Sequence, residues 1–190
     1  MRKRLKFSYF LVFLVFIMVA LIGPLLFNAK GTSASQEMSV PYTERQFIQL
    51  VAKEVKPLAK NYGIRPSILI GQIILETNYG RTLLAAKYHN LFSLQPAPGQ
   101  ASISLKKQAA SKHKTAYAIY RDREDSIRAY LSWLSQGTGE EKKLYQSLAT
   151  EKGYKNPAKS LQTYRYSDDK GYAQRLVQLI EARGLTSYDD

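Results

Sequence analysis

The chain has 190 residues, 45% hydrophobic and 23% charged, and 28 Lys or Arg against 15 Asp or Glu give it a formal net charge of +13. That is enough material for one globular domain with a real core. The absence of cysteine excludes a disulfide framework, a thiolate metal site and a thiol nucleophile, and His89 and His113 are too few to build a metal site without several carboxylates, so neither metal nor cofactor is expected.

MRKRLK (1–6) carries four positive charges and leads into FSYFLVFLVFIMVALIGPLLF (7–27), which carries none. As a helix the apolar segment would span about 30 Å, the thickness of a bilayer core. Thr32, Ala34 and Ser35 would suit a signal peptidase, but cleaved leaders have a shorter apolar region, roughly 7–15 residues. An uncleaved single-pass anchor is favoured, with the basic tail cytoplasmic and the remainder outside the cell membrane. Setting aside the five basic residues of the first 30 leaves 23 basic against 15 acidic, a net +8 for residues 31–190. A basic domain held at a membrane suits an anionic polymer such as cell wall, although a plain solvated surface has the same composition.

GTSASQEMSV (31–40) reads as linker, part of a connecting stretch over 28–42, and the domain is expected over 43–190. TERQ (43–46) matches a capping box. Phe47, Leu50, Val51, Val55 and Leu58 follow at helical spacing, with Pro57 expected to kink or end the helix. Pro66 suits the first turn of a second helix, apolar on most faces and therefore central, with Gly80 as its stop signal. RTLLAAKYHNLF (81–92) reads as a short helix running into a buried loop. Between about 93 and 121, SISL and TAYAIYR alternate weakly and predict a small β-hairpin lobe. Helical periodicity returns after Asp122, at 140–149, and at 168–183, where Tyr172, Leu176, Val177 and Ile180 share a face. The fold class is mainly α with a small β-lobe.

Glu76 closes the apolar run of the central helix. Burial and the negative end of the helix dipole both favour its protonated form, as a general acid at a glycosidic oxygen requires. Tyr79, just after it, is placed to line a sugar site. The plain alternative is a salt bridge from Glu76 to Arg81.

SILIGQIILETNYGRTLLAAKYHNLFSL (67–94) resembles the core motif of the family 73 glycoside hydrolases, bacterial endo-β-N-acetylglucosaminidases that cut peptidoglycan. The matching steps are Gly71-Gln72, Leu75-Glu76, Tyr79-Gly80, Leu84-Ala85 and Asn90-Leu91-Phe92. YSDDKGYA (166–173) and AIYRDREDSIRAYLSWL extend the resemblance to roughly 44–184. It implies a lysozyme-like domain with a groove between helical body and β-lobe, with peptidoglycan glycan strands as partner. It also implies that Glu76 is the general acid and that Tyr166 supports it at the scissile sugar. Asn90 and Phe92 would shape the groove floor, and Tyr172, on an apolar stripe, is read as core.

The sequence departs from that family in one respect. Many members carry a second carboxylate in the lobe, whereas no Asp or Glu lies between Thr77 and Arg121 here. Assistance by the substrate's N-acetyl oxygen, sequential acid and base action by Glu76, or recruitment of Asp122, Glu124 or Asp125 would each complete the chemistry. Arg81, Lys87, Lys106, Lys107, Lys112, Lys114 and Arg121 make the lobe basic, a surface for stem carboxylates or anionic wall polymers. A muramidase, a lytic transglycosylase and an inactive wall-binding module are the alternatives. Nucleic acid is not an expected partner, for want of a groove-binding motif.

Overall fold

The computed structural model describes residues 32–167 and 169–190. The basic tail and the expected anchor at 7–27 lie outside them. Among the described residues no helix is long and apolar enough to cross a membrane.

Helix α1 (Glu44–Tyr62) starts on the expected capping box: Gln46 N donates to Thr43 Oγ1 (3.3 Å) and Thr43 N donates to Gln46 Oε1 (2.8 Å). Phe47, Val51, Val55 and Leu58 are buried, whereas Leu50 is one of two large hydrophobic side chains that stay exposed among the described residues. Pro57 neither ends nor halts the helix. It faces solvent, as does Lys53, the residue whose carbonyl loses its partner, so water replaces the missing hydrogen bond.

Helix α2 (Pro66–Thr77) is the central one, buried from Ser67 through Ile74 and packed against α1, against α7 (Tyr172–Ala182) and against a closing 3₁₀ turn (Leu185–Tyr188). Its first turn is capped from a distance: Ser67 N and Oγ donate to the Asp189 carboxylate at 2.7 and 2.8 Å. Gly71 lets α7 come close, since a Cβ there would stand 2.6 Å from Leu176 Cδ1.

After α3 (Leu83–Tyr88), strands β1 (Ser102–Lys106) and β2 (Lys114–Ala118) form the expected antiparallel hairpin, with Ser104 opposite Ala116. Helices α4 (Arg123–Gln136), α5 (Glu140–Thr150), α6 (Lys155–Thr163) and α7 complete the body. Helix α6 has no counterpart in the sequence reading, because Pro157 lies inside it and Ala158 and Leu161 are its only buried non-polar side chains besides that proline.

The stretch read as linker is folded from Ser33 onward, where the compact unit begins. Ala34 N donates to Lys106 O (2.8 Å), Leu83 N to Gln36 O (2.7 Å) and Met38 N to Arg81 O (2.7 Å). Residues 33–38 therefore strap the end of β1 to the start of α3, and Ala34 joins Leu83, Leu84, Leu105 and Tyr117 in a second, smaller core.

Candidate active site

Helix α2 ends at Thr77, earlier than Gly80. Thr77 Oγ1 donates to Ile73 O (2.6 Å) and accepts from Gly80 N (2.8 Å), tying the last turn to the loop. Asn78, Tyr79 and Gly80 are left-handed in succession (φ 47°, 57° and 74°). Gly80 admits no side chain, because a Cβ would stand 2.5 Å from Phe47 and from the Tyr42 hydroxyl. Tyr79 is the costly member, since a bulky residue in this region is strained by about 1–3 kcal/mol.

That backbone course decides where Tyr79 goes. It does not line the cleft, as the sequence had suggested, but is buried edge-on against Phe47 (6.4 Å), with Arg81 and Arg183 over its ring at 5.9 and 5.3 Å. Nor does Arg81 hold Glu76, since it pairs with Glu44 on α1.

Glu76, one residue before the helix end, opens onto a recess of about 460 Å³ between the helical body and the β-lobe. Lys107, Thr115 and Tyr117 close it from the hairpin, Phe92 and Tyr166 from the body, and Ala34 and Ser35 from the strap. Glu76 is the only carboxylate among the described residues that line it. The later acids are engaged elsewhere: Asp122 caps α4, Asp125 pairs with Arg121, and Glu124 pairs with Arg128.

Tyr172 Oη donates to Glu76 Oε1 at 3.1 Å. The side chain read as core is indeed buried, yet it is also the direct partner of the candidate acid. A tyrosine on an apolar helical stripe needs a partner for its hydroxyl, and that requirement was the available signal. Tyr166 packs edge-on between Tyr172 (5.7 Å) and Tyr130 (5.8 Å), and its buried hydroxyl has no partner among the described residues.

Burial is the dominant influence on Glu76 and pushes its carboxyl above the ordinary glutamate range. The hydrogen bond from Tyr172, the positive charge of Lys107, the Tyr166 hydroxyl and Arg175 pull it back only in part. Burial and then the Glu76 charge hold Tyr166 and Tyr172 well above the usual phenol range, so both stay O–H donors. A carboxyl disposed to keep its proton, facing open space beside neutral donors, can protonate a leaving oxygen.

Phe92 and Asn90 divide the work of the floor. Phe92 lines the recess and stacks on Tyr130 at 4.0 Å. Asn90 is buried beneath: its Nδ2 donates to Leu94 O (2.9 Å) and Ala118 O (3.0 Å), and its Oδ1 accepts from Leu94 N (2.9 Å). It fixes the loop to the end of β2 and touches no cleft surface.

Residues 52–185 match the family model described as Glucosaminidase, mannosyl-glycoprotein endo-beta-N-acetylglucosaminidase. The chain belongs to this family. It is a family 73 glycoside hydrolase of lysozyme-like fold, and an enzyme.

Among the glucosaminidase relatives, exo-glucosaminidase LytG of Bacillus subtilis (strain 168) is 30% identical over 197 residues, covering 100% of this chain and 70% of that protein. A probable N-acetylmuramidase of Lactococcus lactis subsp. cremoris (strain MG1363) is 31% identical over 153 residues, covering 75% of this chain but only 34% of its own length. The catalytic domain of the autolysin Auto from Listeria monocytogenes superposes with a TM-score of 0.68 at 31% identity, covering 80% of this chain and 90% of that domain.

Proposed function

We propose that this glycoside hydrolase cleaves β-1,4 bonds in the glycan strands of peptidoglycan as an endo-β-N-acetylglucosaminidase, with Glu76 as general acid. Support comes above all from Glu76 itself, the one carboxyl among the described residues that line its recess, raised by burial and held by a phenol rather than by a cation. In this reading Glu76 gives its proton to the departing glycosidic oxygen as the C1–O bond breaks. The carbonyl oxygen of the sugar's own N-acetyl group closes on C1 from the opposite face. Water then attacks C1 as the bond from C1 to the N-acetyl oxygen breaks and the amide is restored, and the water's proton passes to Glu76, leaving net hydrolysis. This route needs no second protein carboxylate, in keeping with the described residues that line the recess at Glu76. Tyr166 lines the recess, packs on Tyr172 and supports the acid at the scissile sugar. Lys107 and its hairpin neighbours face stem carboxylates or wall phosphates. Residues 7–27 hold the enzyme at the cell membrane with the domain facing the wall.

Relatives named as glucosaminidase and as muramidase make the reducing end the decisive measurement. Digestion of purified peptidoglycan should release new reducing N-acetylglucosamine, and internal cutting should give a ladder of strand lengths. New reducing or anhydro N-acetylmuramic acid would overturn the bond assignment, and release of end units alone would overturn internal cutting. Glu76→Gln should lower clearing in a zymogram by about 10²–10⁴-fold, the usual contribution of a general acid. Undiminished clearing would remove Glu76 from the mechanism.

A further inference from the structure

The recess at Glu76 does not end at Tyr166. A second recess of about 690 Å³ shares Phe92, Ser93, Gln95 and Tyr166 with it and runs on between the lobe and helices α4 and α5. Its volume lies within the range of ligand-binding clefts, roughly 300–1,000 Å³. At its side stands Trp133, 41% exposed, the other large hydrophobic side chain left to solvent among the described residues.

Trp133 is fixed on one face and open on the other. Its indole stacks on Tyr130 (5.9 Å, interplanar 23°), which in turn stacks on Phe92. Ala129, one turn earlier on α4, also lines this recess with a side chain too short to cover the ring. Tyr120 and Pro96 of the lobe form the facing wall. Three ring-to-ring steps of 5.9, 5.8 and 5.7 Å lead from Trp133 through Tyr130 and Tyr166 to Tyr172, the partner of Glu76. A flat aromatic face pinned from behind, with Gln95 lining the same recess, suits a pyranose: the axial C–H face of the sugar lies on the ring while its hydroxyls meet the amide.

We infer that Trp133 is the platform of a distal glycan subsite, engaging a sugar of the same strand beyond the one cleaved at Glu76. This rests on the glycan-cleaving reading above. It adds that the enzyme distinguishes strands by length, because binding energy at a remote sugar speeds reaction only when the substrate reaches that far.

Trp133 is the only tryptophan of the chain, so its emission reports on the subsite directly. Titration of the full chain carrying Glu76→Gln with long glycan strands freed of stem peptides should shift indole emission saturably, and a single disaccharide should not. In the active enzyme Trp133→Ala should lower kcat/KM on long strands about tenfold and leave the shortest cleaved oligosaccharide unchanged, with Trp133→Phe recovering most of the loss. Unmoved emission while calorimetry shows strands saturating the protein overturns the subsite, even if the wild type cleaves. An equal loss at every strand length overturns it too, since Trp133 would then act only by bracing Tyr130. An emission shift in a wild type that cuts no wall would support the subsite and refute the proposed activity instead.

Discussion

Tyr172→Phe removes one hydroxyl and keeps the ring, so it isolates the 3.1 Å hydrogen bond to Glu76. A hydrogen bond to a neutral group contributes about 1 kcal/mol and one to a charged group about 1.5–3 kcal/mol, so the phenol favours the ionised carboxyl by roughly 1 kcal/mol. In the proposed mechanism Glu76 works in its protonated form, and the rate should therefore fall as pH rises through its folded-state value. Without the phenol the proton is harder to lose, and that alkaline fall should move to higher pH. A harder-to-lose proton is also donated less readily, so the plateau kcat/KM should drop about fivefold. Stability should fall by no more than about 1 kcal/mol, because the ring still packs on Tyr166 and Glu76 still faces the open recess. The assay is kcat/KM on solubilised glycan strands across pH, beside urea denaturation. An alkaline limb that moves to lower pH, or a plateau that does not change, would refute the assignment of Tyr172 as the group that tempers the acid.

Lys107→Met should move the same limb in the same direction, and added salt should abolish the difference from wild type, because Lys107 is exposed and acts through charge alone. Glu76→Gln should make the protein relatively more stable as pH rises above the ordinary glutamate value, since from there upward the unfolded chain sheds a proton that burial makes the folded carboxyl keep; urea denaturation giving the same stability difference at acid and neutral pH would contradict this. Gly71→Ala sets about 1 kcal/mol of gained helix propensity against about 1–3 kcal/mol of overpacking from a contact of 2.6 Å to Leu176, a net loss of up to about 2 kcal/mol that should appear as a lower Tm; a higher Tm would mean that Leu176 yields freely. A chain beginning at Thr43 should unfold at lower temperature than one beginning at Thr32 and cleave more slowly, because the strap between β1 and α3 is gone; equal thermal melts would show the strap to be dispensable.

The helical body was legible because its signals are local. The capping box at Thr43 and the apolar spacing of α1, α2 and α7 are each read within a few turns. Glu76 stood out for a local reason too, as a carboxyl at the end of an apolar helix. What the sequence hid is what depends on distant contact or on one unusual dihedral. Tyr172 meets Glu76 across 96 positions, and an apolar stripe signals that a buried hydroxyl needs a partner without saying which. Tyr79 was misplaced because three left-handed residues turn the chain away from the cleft, and periodicity carries no information on φ. Residues 33–38 lack any repeating pattern, since a strap held by backbone hydrogen bonds makes few demands on side chains. Trp133 was visible as a residue, but the recess beside it was not, because lobe residues distant in sequence line it.

The partner chosen for Glu76 has a consequence for the return half of a catalytic cycle. An acid that has given its proton away stands as an anion until it is reloaded. A guanidinium or ammonium clamped on it would settle that anion and leave the enzyme spent at neutral pH. Tyr172 and Tyr166 carry no charge to lend, and the nearest cation lining the recess, Lys107, belongs to the exposed hairpin. In the proposed cycle the discharged state is therefore the uncomfortable one, and Glu76 would take its proton back from incoming water without having to break an ion pair. Buried surroundings make Glu76 reluctant to ionise and, by the same physics, favour its recharging.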